Sequence, residues 1–452
     1  MPSPVARQPP QWEAVRPSAA TFWPWLLGIT VTAFLLRILY MLTIAPPLFG
    51  LADEAFYYHA SDLIVQGHGY SQPLIAVFYG LYRPTALHPP LWSAVLSIVS
   101  LFTAPANDTA SVTGTAVDVH RGVTCLCGAT VVLLVGLLGR RIGGWRVGLV
   151  GAAIAALYPH FITLDGDLLS EPLYGAIVGG LVLLSYRFVD RPTRGRAFVL
   201  GVFVALAALT RAEGLWFIPV LLIPLAWRAG RDRLRLSLFA VLGALVLLVP
   251  WTIRNYAAFH RFVPVANSGA VIAGANNPCT YYGSHIGSWQ GDCAKVPGET
   301  NLSSEIYVSS KQTSQGIDYA RDHAGRAVLV AGARLLRVWS LYDPNYEAIG
   351  EPTMLDVGLW VYYVMLVAAV YGLIALRRRG RRILILIAPA IVTSIAAILG
   401  DGPDRLRYDA EVPLIAVAAW SFVLLFGRAR RAWGGRGSAG ADRPFSPSNG
   451  TC

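Results

Sequence analysis

Apolar residues in this chain run in long unbroken blocks, not in the alternation of a half-buried strand. The blocks fall near 22–44, 89–104, 120–138, 148–163, 172–188, 197–227, 236–253, 355–376, 383–399 and 412–427. Most have about the 17 to 25 residues that a helix needs to cross a bilayer. The pattern predicts an all-α integral membrane protein. The block 197–227 is too long for one span and is interrupted by Arg211 and Glu213, so it predicts a tight hairpin of two short helices with a polar tip. The block 89–104, opened by Pro89 and Pro90, is marginal in length and predicts an interfacial or re-entrant helix. About ten crossings then remain.

Composition agrees with that pattern. Of 452 residues, 55% are hydrophobic and 14% charged, against about 25% charged in soluble domains. A cytoplasmic enzyme and a secreted domain are excluded. The net charge of +11 would suit a nucleic acid partner, but all of the 37 basic residues except Lys295 and Lys311 are arginine. Most of these gather in short loops at 140–146, 187–196, 228–235, 377–382 and 428–436, with no basic stripe interleaved with exposed aromatics. This is the positive-inside pattern, and it places those five loops in the cytoplasm.

Parity then fixes the rest. With the N-terminus inside, every Arg cluster falls inside only if 89–104 does not cross. Of the 26 carboxylates, Glu13, Asp190, Asp232 and Asp442 alone lie on the cytoplasmic side, so acid–base chemistry is expected outside. The domain plan is a transmembrane domain over 21–427 with two long outer loops, 45–119 and 254–354, the second carrying an interfacial helix near 324–340. Segments 1–20 and 428–452 are Pro/Gly/Ser/Arg-rich and are expected to be disordered cytoplasmic tails. No cleavable signal peptide and no internal repeat are expected. An oxidising outer compartment favours a disulfide between Cys279 and Cys293, restraining the loop by about 3 kcal/mol in the chain-entropy model. Cys125 and Cys127 sit in an apolar span as packing residues, and Cys452 ends a tail.

The first outer loop opens with Asp53 and Glu54 at the head of an aromatic-rich amphipathic helix. An acidic N-cap accounts for Asp53 as well as chemistry does. The combination of Arg37 near the outer end of the first span, then Asp53-Glu54 and the aromatic helix, resembles the first extracytoplasmic loop of the GT-C glycosyltransferases. The likeness is greatest to the bacterial family of aminoarabinose transferases and protein O-mannosyltransferases. It continues through His88-Pro-Pro-Leu-Trp92, Leu169-Ser-Glu-Pro-Leu173, Thr210-Arg-Ala-Glu-Gly214, Pro250-Trp-Thr-Ile-Arg-Asn255, Phe262-Val-Pro264, Asn276-Asn-Pro278 and Arg407-Tyr408 before Pro413.

The resemblance implies a multi-pass enzyme of the bacterial plasma membrane, working on its extracytoplasmic face. It would move a hexose or pentose, with inversion, from a polyprenyl-phosphate donor to a hydroxyl of a lipid, glycan or protein acceptor, with membrane lipids but no nucleic acid as partners. Asp53 matches the position of the catalytic base, and one base suffices because lipid phosphate leaves as a stable anion. Glu54, about a quarter turn round the helix, would orient Asp53, the acceptor or an ion. The phosphate calls for outer cations: Arg37, Arg211, Arg254, Arg334, Arg337, Arg405 and Arg407, with Arg211 and Arg407 foremost. Tyr57, His88, Glu213 and Tyr408 complete the expected substrate site. For single arginines the plainer account is snorkelling or local pairing, such as Arg211 with Glu213 or Arg405 with Asp404.

A divalent metal ion stays open. Some relatives hold one between an acid and a His, and His59, His68, His88, His285, His323, Asp165, Asp167 and Asp401 are all expected outside, yet no His pair has helix-face metal spacing. The rival function is a polytopic transporter or a flippase for lipid-linked sugar, which would carry charges at mid-membrane and often two related halves. A non-catalytic membrane scaffold is the second rival, and it gives no reason for Asp53-Glu54 to coincide with outer arginines.

Overall fold

A computed structural model describes residues 19–46, 53–103, 114–228, 230–266, 268–300, 302–342 and 352–438. The ends of the two expected tails, Cys452 and parts of both outer loops lie outside the described residues. Helices α1 (Ala19–Thr43), α2 (Asp53–Val65), α3 (Pro73–Tyr79) and α4 (Leu91–Ser100) are followed by α5 (Thr115–Gly143), α6 (Trp145–Leu157) and α7 (Pro159–Asp165). Next come α8 (Glu171–Asp190), α9 (Arg194–Thr210), α10 (Ile223–Trp227) and α11 (Arg233–Phe259). The second outer segment holds α12 (Gly269–Ala275), α13 (Pro278–Tyr281), α14 (Glu305–Asp322) and α15 (Ala324–Val338), before α16 (Pro352–Arg378), α17 (Leu384–Leu399) and α18 (Tyr408–Ser438). Residues 428–438 therefore continue the last helix and do not begin a tail.

Among the described residues, six helices are long and apolar enough to cross a membrane: α1, α5, α8, α11, α16, and α18 with the turn before it. A seventh is the pair α6 and α7, bent by 58° where Tyr158 is extended and Pro159 has no N–H to continue the ladder. The ten crossings expected from the sequence thus become seven of sufficient length, plus shorter segments at 194–210, 212–227 and 384–399. The 197–227 block does break at Arg211, into α9 and a run of 3₁₀, π-helical and α-helical turns over 212–227. With 10 residues, α4 reaches about 15 Å, half the thickness of a bilayer core of about 30 Å, so it lies beside the bundle without crossing.

Close helix packing uses small residues. A Cβ added at Gly201 in α9 would stand 1.8 Å from the carbonyl oxygen of Ala240 in α11, and one at Gly243 2.0 Å from that of Phe198. Only glycine permits this approach, as is usual where helix association rests on van der Waals contact. The main core lies among α1, α5, α6, α8, α16 and α18. A second, smaller core gathers Phe56, Tyr57, Tyr58, Tyr70, Trp92, Leu96 and Leu168 beneath α2. It seats α2 on α4 and the head of α5, which positions Asp53.

The two long segments between spans, after α1 and after α11, are tied together. Glu305 accepts from Thr85 Oγ1 at 2.6 Å and from the backbone N–H of Ala86 at 2.9 Å, and Arg83 donates to the Leu302 carbonyl. Arg254 donates to the carbonyls of Thr85 and Tyr70. In the second segment Cys279 and Cys293 form the expected disulfide, while Cys125 and Cys127 are free. The expected interfacial helix is α15.

Candidate active site

Asp53 stands in the first turn of α2, but its carboxylate is directed across the molecule as well as along the helix. Oδ2 accepts from Arg405 Nη2 at 3.0 Å, and Oδ1 lies 3.7 Å from His88 Nε2. Burial pushes the Asp53 carboxyl up, yet the charge of Arg405, then the His88 neighbourhood and a hydrogen bond from Arg405, bring it below its ordinary value. Asp53 is therefore an anion. Its side chain keeps 35% exposure, so an incoming group can reach it.

His88 turns its other ring nitrogen to the Tyr57 hydroxyl at 3.4 Å and packs between the rings of Phe56 and Tyr57. Burial lowers its proton affinity, outweighing the opposite pull of Asp53. The imidazole is neutral. Tyr57, buried on α2, likewise holds its proton more tightly because burial disfavours the phenolate.

Behind Asp53 the charges alternate. Glu171, 2% exposed at the head of α8, lies 3.6 Å from Arg405 and 2.7 Å from Arg211. Arg211 then pairs with Glu213 at 2.5 Å and donates to Ser170 Oγ at 3.4 Å. Arg405 and Arg211 keep 27% and 17% side-chain exposure. A guanidinium has five N–H donors, more than two carboxylates engage, so both arginines have capacity left for an oxyanion. Glu54 points away into the buried side of α2, where its Oε2 has no hydrogen-bond partner. Burial, then the charge of Asp167, lifts its carboxyl to about 7.

Of the residues predicted from sequence, the structure brings together Asp53, Tyr57, His88, Arg211, Glu213 and Arg405. The others it places elsewhere. Arg37 is fully buried, donating to Asp165 Oδ2 at 2.6 Å and to the carbonyls of Ala33, Ala155 and Ala156, while Tyr408 donates to the other Asp165 oxygen at 2.6 Å. These two residues close a strut between α1, α7 and α18. Arg407 is engaged with Glu411 at 2.6 Å and with Ser340, and stacks on Tyr362; it also lies 3.7 Å from Asp404. That corrects the expected pairing of Arg405 with Asp404: the two neighbouring arginines point to different partners. Arg254 serves the loop tie described above. Arg334 donates to the carbonyls of Ala275 and Ile398, and Arg337 is buried on α15.

Glu171 and Ser170 were missed as site residues, although Leu169-Ser-Glu-Pro-Leu173 stood out as a motif. A carboxylate at the outer end of a span, followed by a helix-starting proline, was the available signal. Among the described residues no group of three or more His, Cys, Asp or Glu side chains is placed to hold a metal ion, so no step is routed through one.

The comparisons with known proteins agree with this architecture. A family model described as dolichyl-phosphate-mannose-protein mannosyltransferase matches residues 88–253. The chain is similar to the oligosaccharyltransferase of Archaeoglobus fulgidus tethered to an acceptor peptide, with TM-score 0.55 and 13% identity, covering 95% of this chain and 52% of that one. The archaeal oligosaccharyltransferase AglB from the same organism, in complex with an inhibitory peptide and a dolichol-phosphate, matches with TM-score 0.52 and 14% identity over 93% of this chain and 53% of that one. The chain also has a weaker likeness to ArnT from Cupriavidus metallidurans bound to undecaprenyl phosphate, with TM-score 0.42 and 14% identity over 88% of this chain and 78% of that one. The chain spans about half the length of the archaeal enzymes. No curated protein matches it by sequence. The fold is that of the multi-pass GT-C membrane proteins. The family model covers the part of the chain from just before α4 into α11, and the likeness over the whole chain is one of fold.

Proposed function

We propose that this protein is an inverting glycosyltransferase that moves a sugar from a polyprenyl-phosphate donor to an acceptor hydroxyl on the extracytoplasmic face of the membrane. The observation that carries this reading is Asp53: an anionic, partly exposed carboxylate held between Arg405 and a neutral His88. Support for the donor class comes from the fold shared with an enzyme solved with a dolichol-phosphate.

The step balances with one base. The acceptor oxygen attacks the anomeric carbon on the face opposite the phosphate, its proton passes to Asp53 Oδ1, and the carbon–oxygen bond to phosphate breaks with its electron pair on the phosphate. Arg405 keeps Asp53 ionised, and Tyr57 holds the His88 ring in place. Arg211 and the remaining donors of Arg405 meet the growing charge on the leaving phosphate. Glu171 spaces the two guanidiniums and offsets their repulsion.

The test is to incubate the purified protein in lipid nanodiscs with a series of polyprenyl-phosphate sugars and hydroxyl acceptors. Free polyprenyl phosphate and a glycosylated acceptor are expected for one donor. Movement of intact carrier between the leaflets of a vesicle, with no sugar released, would identify the flippase instead.

A further inference from the structure

A second site lies beside the first, in the outer segments. A cavity of about 420 Å³ opens between the loop after α2 and the α12–α14 region. Its lining includes Gln72, Lys295, Glu299, Ser303, Glu305 and Gln312, with Ile75, Leu87, Ala270 and Val308 as the apolar part. No aromatic side chain is among the lining residues. The volume falls in the range of about 300–1,000 Å³ that small-ligand sites occupy.

Three features make this more than a surface dent. Glu305 lines the cavity and also accepts from Thr85 and from the backbone of Ala86. Leu87 lines the cavity, and the next residue, His88, faces Asp53. The cavity wall and the catalytic centre thus share one four-residue segment, 85–88, pinned at its other end by Arg254. Finally, Glu299 lines the cavity while one of its carboxylate oxygens, Oε2, is shielded and has no hydrogen-bond partner, so the carboxylate at the wall has acceptor capacity that the protein leaves unused.

From this geometry we infer that the cavity is an acceptor subsite and that it takes the polyhydroxyl, saccharide part of the acceptor. This rests on the glycosyl-transfer reading above and names the acceptor class for it. Carboxylates, primary amides and hydroxyls can each accept from or donate to sugar hydroxyls, whereas a lipid chain would need an apolar lining. An extended peptide would use an exposed strand edge, and among the described residues the sheet structure is a single bridge, Ser71 with Pro84. A saccharide seated here engages Glu299 and rests on Leu87, so binding and the placement of His88 are linked through the 85–88 segment.

The experiment is saturation-transfer NMR on the full chain in nanodiscs, with methyl hexosides and methyl pentosides as probes and a Ser/Thr-containing peptide as the comparison. Saccharide signals are expected with the wild type, and they should survive Asp53→Asn. They should be lost in Ala270→Phe, which fills the cavity, and weakened in Glu299→Gln, which keeps its shape. Both variants should retain the slow release of polyprenyl phosphate to water, since the donor site is untouched. Ala270→Phe tests folding by that same release. If Ala270→Phe does not fold, Glu299→Gln decides alone. Saccharide signals absent from the wild type, unchanged in Glu299→Gln, or replaced by peptide signals would overturn the inference. Absence of any donor cleavage in the wild type would instead overturn the glycosyl-transfer reading, and the NMR result stands apart from it.

Discussion

Arg405 Nη2 and Asp53 Oδ2 meet at 3.0 Å across 352 positions of sequence. One comes from the turn that leads into the last span and the other from the head of the first outer helix. The bundle must be assembled before the base has its partner, so what keeps Asp53 ionised against burial is a property of the tertiary structure. An Asp in a first helical turn would be anionic at neutral pH in any case; here Arg405 offsets the burial that would otherwise favour its neutral form.

Replacing Asp53 by Asn keeps its volume and one acceptor oxygen but removes its basicity. Turnover of the Asp53→Asn enzyme should fall by about 10² to 10⁴-fold, the range of general-base catalysis, while donor binding survives. Asn caps helices about as well as Asp, so a purely structural Asp53 predicts near-normal turnover in the folded variant. Steady-state rates alongside donor affinity separate the two.

Loss of Arg405 acts on both substrate and base. In Arg405→Ala, donor affinity should drop by about 1.5 to 3 kcal/mol, the worth of a charged hydrogen bond. The pH profile carries a second signature. With Arg405 present the Asp53 pKa lies below 3.8, so the active base persists down to that pH. Without it, burial is opposed only by the weaker pulls of His88 and Arg211, the pKa rises, and the acid limb of kcat/KM should move to higher pH. An unmoved limb would show that Arg405 does not set the ionisation of Asp53.

Glu54 gives the opposite sign in stability. Its carboxyl titrates near 7 in the folded protein against 4.5 for the free group, so the folded state binds the proton more tightly. Stability is greatest below 4.5, declines as pH rises from 4.5 through about 7, and is flat above. Thermal unfolding followed from pH 4 to pH 9 should show this decline reduced in Glu54→Gln, which cannot ionise. The same slope in both proteins would locate the titrating group elsewhere.

Arg37 should behave as a structural residue. Arg37→Ala leaves Asp165 buried without its cation, a loss of about 3–5 kcal/mol for a broken buried pair. The double variant Arg37→Ala with Asp165→Asn should recover part of that stability. Selective loss of donor affinity in a fully stable Arg37→Ala protein would return Arg37 to the phosphate site.

The placement of α4 can be tested from the outside. With the other free cysteines replaced by serine, Phe102→Cys, 85% exposed at Phe102 in the parent, should react with a membrane-impermeant thiol reagent in intact cells. Gly195→Cys, in the first turn of α9, should react only after permeabilisation. The reverse pattern would overturn both the parity argument and the outer location of Asp53.

Much of this protein is legible in its sequence because the bilayer imposes a one-dimensional rule. Blocks of about 20 apolar residues and arginine-rich loops mark spans and sides, and the break at Arg211, the short helix α4 and the α15 interfacial helix followed from them. Crossing length did not follow so well: the block at 148–163 conceals the bend at Pro159, and 383–399 holds a helix of 16 residues. The local dyad Asp53-Glu54 and the arginines were visible as candidates, because charge at the outer ends of apolar spans is conspicuous. Which arginine serves which carboxylate was not visible. Arg405 and Arg407 are two residues apart, yet one reaches Asp53 and Glu171 and the other Glu411. They leave a 3₁₀ turn in different directions, so their partners depend on which helices stand on either side. The sequence by itself determined the membrane class, the helix blocks and the residue types available for chemistry, since each depends on local composition. That Arg37 and Tyr408 brace Asp165, that Glu171 joins the site and that the 85–88 segment links a cavity to the base could be read from the folded molecule alone, since each depends on contacts between segments far apart in the chain.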